Sequence, residues 1–312
     1  MLIEMENGNS PSKPAVPELE RKLLERIRDS KKPLRIMHVC GTHERTIAKY
    51  GLRSVLPKNI EVISGPGCPV CVTPEEDINV AIALAKSGAT VVTFGDMMRV
   101  PGSGESLLDA KSEGADVKMV YSIDDAIALA EKKPELEVVF FGIGFETTVP
   151  ANAAALLRKT PENFSLLASQ KQTPPAVELL ARDADVDAFI APGHVATIIG
   201  TKPFESLAEK GFPVVVSGFE PADILLGINL LQMQAEEGIS RIDNGYPRAV
   251  KPEGNQIALK IMDKVFETSD SEWRGIGRIE NSGLALRREF EEKDAAKKHK
   301  DLYTSALEDV RK

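Results

Sequence analysis

The sequence GPGCPVC (65–71) decides how the rest of this chain is interpreted. A short apolar run, residues 60–64, leads into it and predicts a buried strand. TPEE (73–76) follows and predicts a helix start, with Thr73 as the N-cap and Glu76 closing a capping box. Cys68 and Cys71 are therefore expected at a strand end, just before a helix N-terminus. Backbone N–H groups and the helix dipole favour the thiolate there.

The same arrangement recurs along the chain, since short apolar runs end in glycine-rich or polar segments and helical spacing lies between them. Strands are predicted at 34–39, 60–64, 90–94, 117–121, 137–141, 164–168, 187–191 and 213–217. Strands that alternate with helices indicate parallel sheets with right-handed crossovers. The predicted fold class is therefore α/β, with two similar domains of four strands each, mainly parallel sheets flanked by helices, and a C-terminal helical segment.

The expected domain organisation has four parts. Residues 1–32 form an N-terminal tail and helix, and 33–133 form a first α/β domain that carries CGTH and GPGCPVC. Residues 134–238 form a second α/β domain with the motifs GFETT and PGHV. The last part, 239–312, is expected to be irregular and helical, with a helix over 255–267, a loop at 273–277 and a charged helix over 284–310.

Composition excludes several classes of function. The 312 residues carry a net charge of −8, which gives no basic surface for nucleic acid or anionic lipid. No apolar run reaches membrane-spanning length, and the N-terminus lacks a signal-peptide pattern. The three cysteines lie in the first quarter of the chain and make no secreted disulfide framework. We expect a cytoplasmic protein with reduced or redox-cycling thiols.

The Cys68/Cys71 pair has two interpretations. A rigid loop that favours the thiolate suits metal capture or reversible disulfide chemistry. A structural zinc half-site, or two inert thiols, fits the same spacing. A zinc site normally needs a second pair of ligands, and the sequence contains no other CxxC and no HxxxH. The balance therefore moves toward a functional pair.

Other candidate residues also follow predicted strands. Cys40 and His43 lie three apart, where the imidazole is placed to bond the thiolate, take its proton or ligate metal; the alternative is a buried Cys beside an exposed His. Glu146 is expected to orient a metal-bound group or to stabilise a helix N-terminus. His194 is expected to orient a ligand or to be a turn residue. The segment 142–147, GxGxxT, is nearly a dinucleotide fingerprint but lacks its third glycine.

Ligands of open parallel sheets bind beyond the carboxyl ends of the strands. Cys40, Cys68 and Cys71 all follow such ends. We therefore predict that the three thiols line one cleft between the two domains.

Taken together, these segments resemble one family closely, the HypD proteins that mature the iron centre of NiFe-hydrogenases. The matching motifs are CGTH (40–43), GPGCPVC (65–71), TFGDM (93–97), GIGFETT (142–148), PGHV (192–195), SGFEP (217–221), NGY (244–246) and WRGIG (273–277). They span about residues 34–290. GPGCPVC together with CGTH is the most specific part of the match.

The resemblance implies an assembly scaffold rather than a turnover enzyme. In the family, a small chaperone, HypC, docks on HypD, and the pair assembles an iron that carries cyanide and carbonyl ligands. Cyanide arrives through HypE, with HypF upstream. By resemblance, Cys40 holds this iron beside a chaperone thiolate, with His43 next to it and Cys68 and Cys71 as a redox-active pair near the metal. Soft thiolates suit such an iron.

The sequence departs from the family in one respect. HypD proteins usually continue into a segment whose cysteines bind a 4Fe-4S cluster, but no cysteine follows Cys71 here. The ligands of that cluster are therefore absent from this sequence. Two other functions stay open: a thiol–disulfide oxidoreductase that uses Cys68 and Cys71 alone, and a nucleotide-dependent enzyme on the same fold.

Overall fold

The computed structural model describes residues 17–310, and the tail expected before them lies outside the described residues. All eight predicted strands are present, and three more follow. The strands are β1 (Leu34–His38), β2 (Ile60–Ser64), β3 (Thr90–Thr93), β4 (Val117–Met119), β5 (Val138–Gly144), β6 (Phe164–Gln170), β7 (Ala188–Pro192), β8 (Val214–Ser217), β9 (Ile242–Asn244), β10 (Phe266–Trp273) and β11 (Gly277–Leu286).

Helices separate nearly all of these strands. They are α1 (Glu18–Asp29), α2 (Gly41–Lys49), α3 (Leu52–Val55), α4 (Pro69–Val72), α5 (Glu75–Lys86), α6 (Leu107–Ser112), α7 (Ile123–Lys132), α8 (Val149–Leu156), α9 (Thr173–Asp183), α10 (Gly193–Ile199), α11 (Glu205–Glu209), α12 (Pro221–Glu237), α13 (Gln256–Val265), α14 (Ala295–Lys298) and α15 (Lys300–Val310). Short 3₁₀ turns cover Gly95–Arg99, Lys202–Phe204 and Arg288–Lys293. No helix within 17–310 is both long and apolar enough to cross a membrane.

Two parallel sheets contain nine of the eleven strands within residues 17–310, which confirms the predicted α/β class. The first sheet has the order β2-β1-β7-β8-β9, and the second has the order β4-β3-β5-β6. Every pairing in both sheets is parallel. Strand β5 (VVFFGIG) is buried throughout, as expected for a strand with helices on both faces.

The eight predicted strands are divided between the two sheets differently from the prediction. The chain leaves the first sheet after β2, builds all of the second sheet, and then returns for β7, β8 and β9. The expected grouping into two consecutive sets of four is therefore wrong, and the expected boundary at 133/134 falls between β4 and β5, which share a sheet. Hydropathy periodicity locates strands, but the choice of neighbouring strand depends on long-range packing that the pattern does not contain.

Each sheet has a position where the strand order reverses. In the first sheet, β1 lies between its sequence neighbour β2 and the distant β7. In the second sheet, β3 likewise lies between its sequence neighbour β4 and the later strand β5. Such positions leave a crevice beyond the strand ends, where ligands of open α/β sheets bind. In the first sheet the segments at this crevice are those that follow His38 and Pro192.

Alternate residues of the strands face opposite layers of helices. In the second sheet, Val91 faces a core with α5, α6 and α15, whereas Val92 faces one with α7 and α8. The first sheet packs one face against α1 and α12. Its other face shares a core with Phe145, which follows β5, and with Trp273, the last residue of β10. This core therefore joins the two sheets.

The C-terminal part differs from its prediction. An antiparallel hairpin of β10 and β11 occupies 266–286, where a helix end, a loop and a helix start were expected. WRGIG (273–277) forms its tip. The predicted helix over 284–310 is wrong at its start, where β11 ends and a 3₁₀ turn follows. Its last part is helical as α15, which packs on α5 with Tyr303 and Ala306 against the second sheet's core. The polar alternation of the strands resembled a loop because few of their side chains are buried: six of the eighteen residues are buried and eight are exposed.

Candidate functional site

Cys40 lies where β1 gives way to a helix. It is the N-cap residue of α2, has extended backbone angles, and is buried, with 9% of its surface exposed. Because β1 is flanked by β2 and β7, the segments that follow all three strands meet around this thiol. Cys40 is free, as are the other two cysteines.

The glycine-rich loop after β2 packs directly on the backbone of Cys40. The N–H of Gly41 donates to the carbonyl of Gly67 (3.1 Å), and the N–H of Gly65 donates to the carbonyl of His38 (2.8 Å). A Cβ on Gly67 would lie 2.3 Å from the nitrogen of Cys40, so only glycine fits. The loop that carries Cys68 is thereby fixed beside Cys40, at the same edge of the sheet.

Cys68 and Cys71 frame the short helix α4. Cys68 is its N-cap, and its sulfur accepts a hydrogen bond from the backbone N–H of Cys71 (3.3 Å). The two sulfurs lie 2.7 Å apart, with the Cys71 thiol donating. This bond, together with partial desolvation, raises the pKa of Cys71 to about 11. At Cys71 this contact opposes the thiolate that the nearby helix N-terminus was expected to favour.

The predicted capping box is also wrong. Helix α5 begins at Glu75 with Pro74 as its N-cap, and no side chain caps it. Thr73 instead donates its hydroxyl to the carbonyl of Pro69 (2.8 Å), since α4 is a separate helix whose carbonyls need partners.

His43 is fully buried, contrary to the alternative of an exposed imidazole. Its Nε2 lies 2.9 Å from the carbonyl of Gly218 and 3.3 Å from that of Ser217, and because carbonyls only accept, Nε2 carries the hydrogen. Burial, reinforced by neighbouring His38, lowers its pKa to about 4. The ring is therefore neutral at pH 7, and its Nδ1 lone pair has no partner among residues 17–310.

An aromatic stack joins His43 to His194. The ring of Phe219 lies 4.9 Å from that of His43 and 3.7 Å from that of His194, and both pairs are stacked. His194 is exposed at the start of α10, and partial burial lowers its pKa. Pairing of β1 with β7 brings these histidines together, although 150 residues separate them in the sequence.

Glu146 lies apart from this group. Its carboxylate accepts from the N–H (2.6 Å) and the hydroxyl (2.8 Å) of Thr173, the first residue of α9. Burial raises its pKa to about 7. Of the two expectations, stabilisation of a helix N-terminus agrees with this geometry, but the helix is α9 rather than the one that follows Glu146 in the sequence.

No three His, Cys, Asp or Glu side chains within 17–310 are grouped closely enough to hold a metal ion. Cys40, Cys68 and Cys71 therefore do not form a complete ligand set by themselves. A soft metal bound at Cys40 would need donors from outside residues 17–310.

The motifs that build this edge of the sheet also match a known family. The HypD family profile, described as "Hydrogenase formation hypA family", matches residues 18–311. The chain belongs to the HypD family.

Several curated proteins resemble this HypD-family chain. A hydrogenase expression/formation protein of Methanocaldococcus jannaschii is 49% identical over 86% of the chain and 76% of its own length. The hydrogenase maturation factors HypD of Escherichia coli and Rhizobium leguminosarum are each 43% identical, over 89% and 91% of the chain and 79% and 77% of their own lengths. A solved structure, the ligand-free, open CD0873 of Clostridium difficile, has a TM-score of 0.15 at 12% identity, covering 74% of the chain and 95% of its own length, which is too low to indicate a common fold.

Sequence reasoning missed two residues of this HypD-family site. His38 is buried on β1, and its Nε2 lies 2.8 Å from Glu44, which also accepts two bonds from Arg53. These bonds, chiefly from Arg53, lower the pKa of Glu44 to about 2 and fix α2 against β1. Phe219, the spacer of the histidine stack, lies in the quoted motif SGFEP, but nothing in the motif indicates which rings it separates.

Proposed function

We propose that this chain is a hydrogenase maturation scaffold. With a HypC-type chaperone, it holds iron while cyanide and carbonyl ligands are attached for the active site of a NiFe-hydrogenase. The observation that carries the proposal is the placement of Cys40, a buried thiol at the reversal point of the first sheet with the CxxC loop packed on its backbone. Family membership supports the same function.

Cys40 is the proposed iron anchor, and the iron is cargo. Since the described residues offer no complete set of metal donors, a second thiolate from the chaperone completes the soft ligand set. A partner that supplies a ligand must dock at this edge of the sheet. The cyanide then comes from a HypE-type donor, with HypF upstream.

His43 is the proposed tuning group of this anchor. Ligating histidines typically donate their other ring N–H to a carbonyl or carboxylate, which fixes the tautomer. His43 has this arrangement, with Nε2–H held by Gly218 and the Nδ1 lone pair unpartnered among the described residues. Because its pKa is lowered to about 4, the ring is neutral at pH 7, so its Nδ1 lone pair is available to a metal and the ring does not repel a cation.

Cys68 and Cys71 are the proposed redox pair beside the iron. Their sulfurs lie 2.7 Å apart, so a disulfide needs little movement. Closing it releases two electrons and two protons, and reopening it takes them up. Cys71 is exposed, which makes the pair accessible to an external thiol.

That exposure also favours a second candidate, a plain thiol–disulfide oxidoreductase. Such an enzyme needs only Cys68 and Cys71, so its activity would survive Cys40→Ala. The scaffold needs all three thiols, and the same substitution would abolish its iron retention.

The test is to purify each single Cys→Ala variant with the HypC-type partner and to measure iron content and the infrared bands of cyanide and carbonyl. We expect Cys40→Ala to lose the iron. We expect Cys68→Ala and Cys71→Ala to keep some iron without the diatomic bands. Ser64→Ala, beside the loop, is the matched control and should behave as the parent. Full iron and cyanide bands in Cys40→Ala would overturn the assignment of the anchor.

A further inference from the structure

The β10–β11 hairpin is fixed to the second sheet at its base. The buried ammonium of Lys171, which follows β6, donates to the hydroxyl of Ser271 (2.7 Å). The N–H of Gln172 donates to the carbonyl of Ser282 (2.7 Å), and the indole N–H of Trp273 donates to the hydroxyl of the same serine (2.8 Å). The ring of Trp273 also stacks on Phe145, after β5. The hairpin tip therefore has a defined position.

That tip reaches the helix that carries the thiol pair. The backbone N–H of Arg274 donates to the carbonyl of Val72 (3.0 Å), the last residue of α4. The guanidinium donates to the Glu75 carboxylate (3.0 Å) and to the carbonyl of Pro101 (2.9 Å). Arg274 thus joins the end of the thiol helix, the start of α5 and the loop after β3, and links the CxxC of the first sheet to a hairpin fixed on the second.

We propose that Arg274 is a positioning residue that holds Cys68 and Cys71 in the geometry from which the disulfide closes. The inference rests on the redox role given to the pair in the proposed function. Among the described residues, Arg278, on the same hairpin, bonds only Asp270 of that hairpin, and its side chain is 68% exposed against 25% for Arg274. Exposure and partners both distinguish the positioning residue from an ordinary surface arginine.

The positioning acts through effective concentration. In exchange with glutathione, the two protein thiols become one disulfide and one glutathione disulfide becomes two glutathione molecules, so electrons and protons balance. Thiols held close together favour the closed form. The guanidinium bonds Glu75 and Pro101 and so holds the hairpin tip in place, with the Arg274 backbone N–H against the carbonyl of Val72 at the end of α4. Without the guanidinium, the tip constrains α4 less. The thiols then spend less time in register, and the disulfide is less stable.

The measurement is the equilibrium constant of the pair in glutathione buffers, with thiol trapping as the readout, on the full chain without partner or iron. For Arg274→Ala we expect that constant to fall roughly threefold to tenfold, the range of one ordinary intramolecular hydrogen bond. Tenfold corresponds to about 30 mV for this two-electron couple. Arg274→Lys should recover part of the loss, and Arg278→Ala should match the parent.

A second variant attacks the same contact from the other side. Glu75→Gln should shift the constant in the same direction, and the double variant with Arg274→Ala should shift it less than the sum, since both remove one interaction. A parent-like constant in both Arg274→Ala and Glu75→Gln would overturn the positioning role while leaving the redox pair intact. If the parent pair itself never oxidises, the redox part of the proposed function fails, and the positioning role fails with it.

Discussion

Replacement of Glu146 by Gln tests how the ionisation of this buried carboxyl affects the stability of the fold. Glu146 is 1% exposed, and its two oxygens accept from the N–H and the hydroxyl of Thr173. Glutamine keeps the shape, accepts from the same N–H and donates to the hydroxyl oxygen. The substitution therefore removes the ionisation of the group and leaves its contacts in place.

The magnitude follows from the pKa of the buried carboxyl, which burial raises from 4.5 to about 7. A carboxyl with a raised pKa favours the folded state fully below its unfolded pKa, and this contribution is lost as the pH rises through the folded pKa. One pKa unit corresponds to about 1.4 kcal/mol, so the total is roughly 3 kcal/mol, most of it between pH 5 and pH 8. Glutamine has no proton to lose and escapes this penalty.

The assay is urea unfolding of the parent and Glu146→Gln at pH 5 and pH 8. Relative to the parent, the variant should gain roughly 2 to 3 kcal/mol of unfolding free energy on going from pH 5 to pH 8. Glu178→Gln is the control. Burial opposes ionisation of Glu178, but bonds from Lys210 and Ser206 lower its pKa. The unfolding free energy of this variant should therefore differ from that of the parent by the same amount at pH 5 and pH 8. An unchanged difference for Glu146→Gln as well would refute the reasoning.

Two further predictions concern the surroundings of Cys40. Gly67→Ala puts a Cβ 2.3 Å from the Cys40 nitrogen and should cost about 2 kcal/mol or more in urea unfolding; Gly104→Ala, with no atom within 4 Å of the new Cβ, should cost far less, and equal costs would contradict the packing of the loop. Glu44→Gln tests the bonds from Arg53, which are the main reason that the pKa of Glu44 is lowered from 4.5 to about 2. The ionised Glu44 therefore stabilises the fold above about pH 4.5, and this stabilisation is lost as the pH falls through 2. Because 37% of the Glu44 side chain is exposed, thermal unfolding should show a loss of at most about 1 kcal/mol at pH 7 that shrinks at pH 3, and a constant loss would argue against an ionic origin.

The sequence alone determined the class of the fold and the place of the thiols along it. Buried strands are continuous apolar runs, and β5 carries that pattern without interruption. Glycine and cysteine residues follow the ends of β1 and β2. Cys40 and Cys68 were therefore expected at strand ends, where the structure has them. These features are local, because periodicity and turn chemistry act over a few residues.

Tertiary structure alone decided which ends meet and what state their side chains have. Pairing of β1 with β7 places His43 against Phe219 and His194, although the predicted domain division had put β1 and β7 in different sheets. Burial, not spacing, makes His43 neutral and gives Glu146 a pKa of about 7. Strand pairing and desolvation are set by groups distant in sequence, and a local pattern carries no record of them.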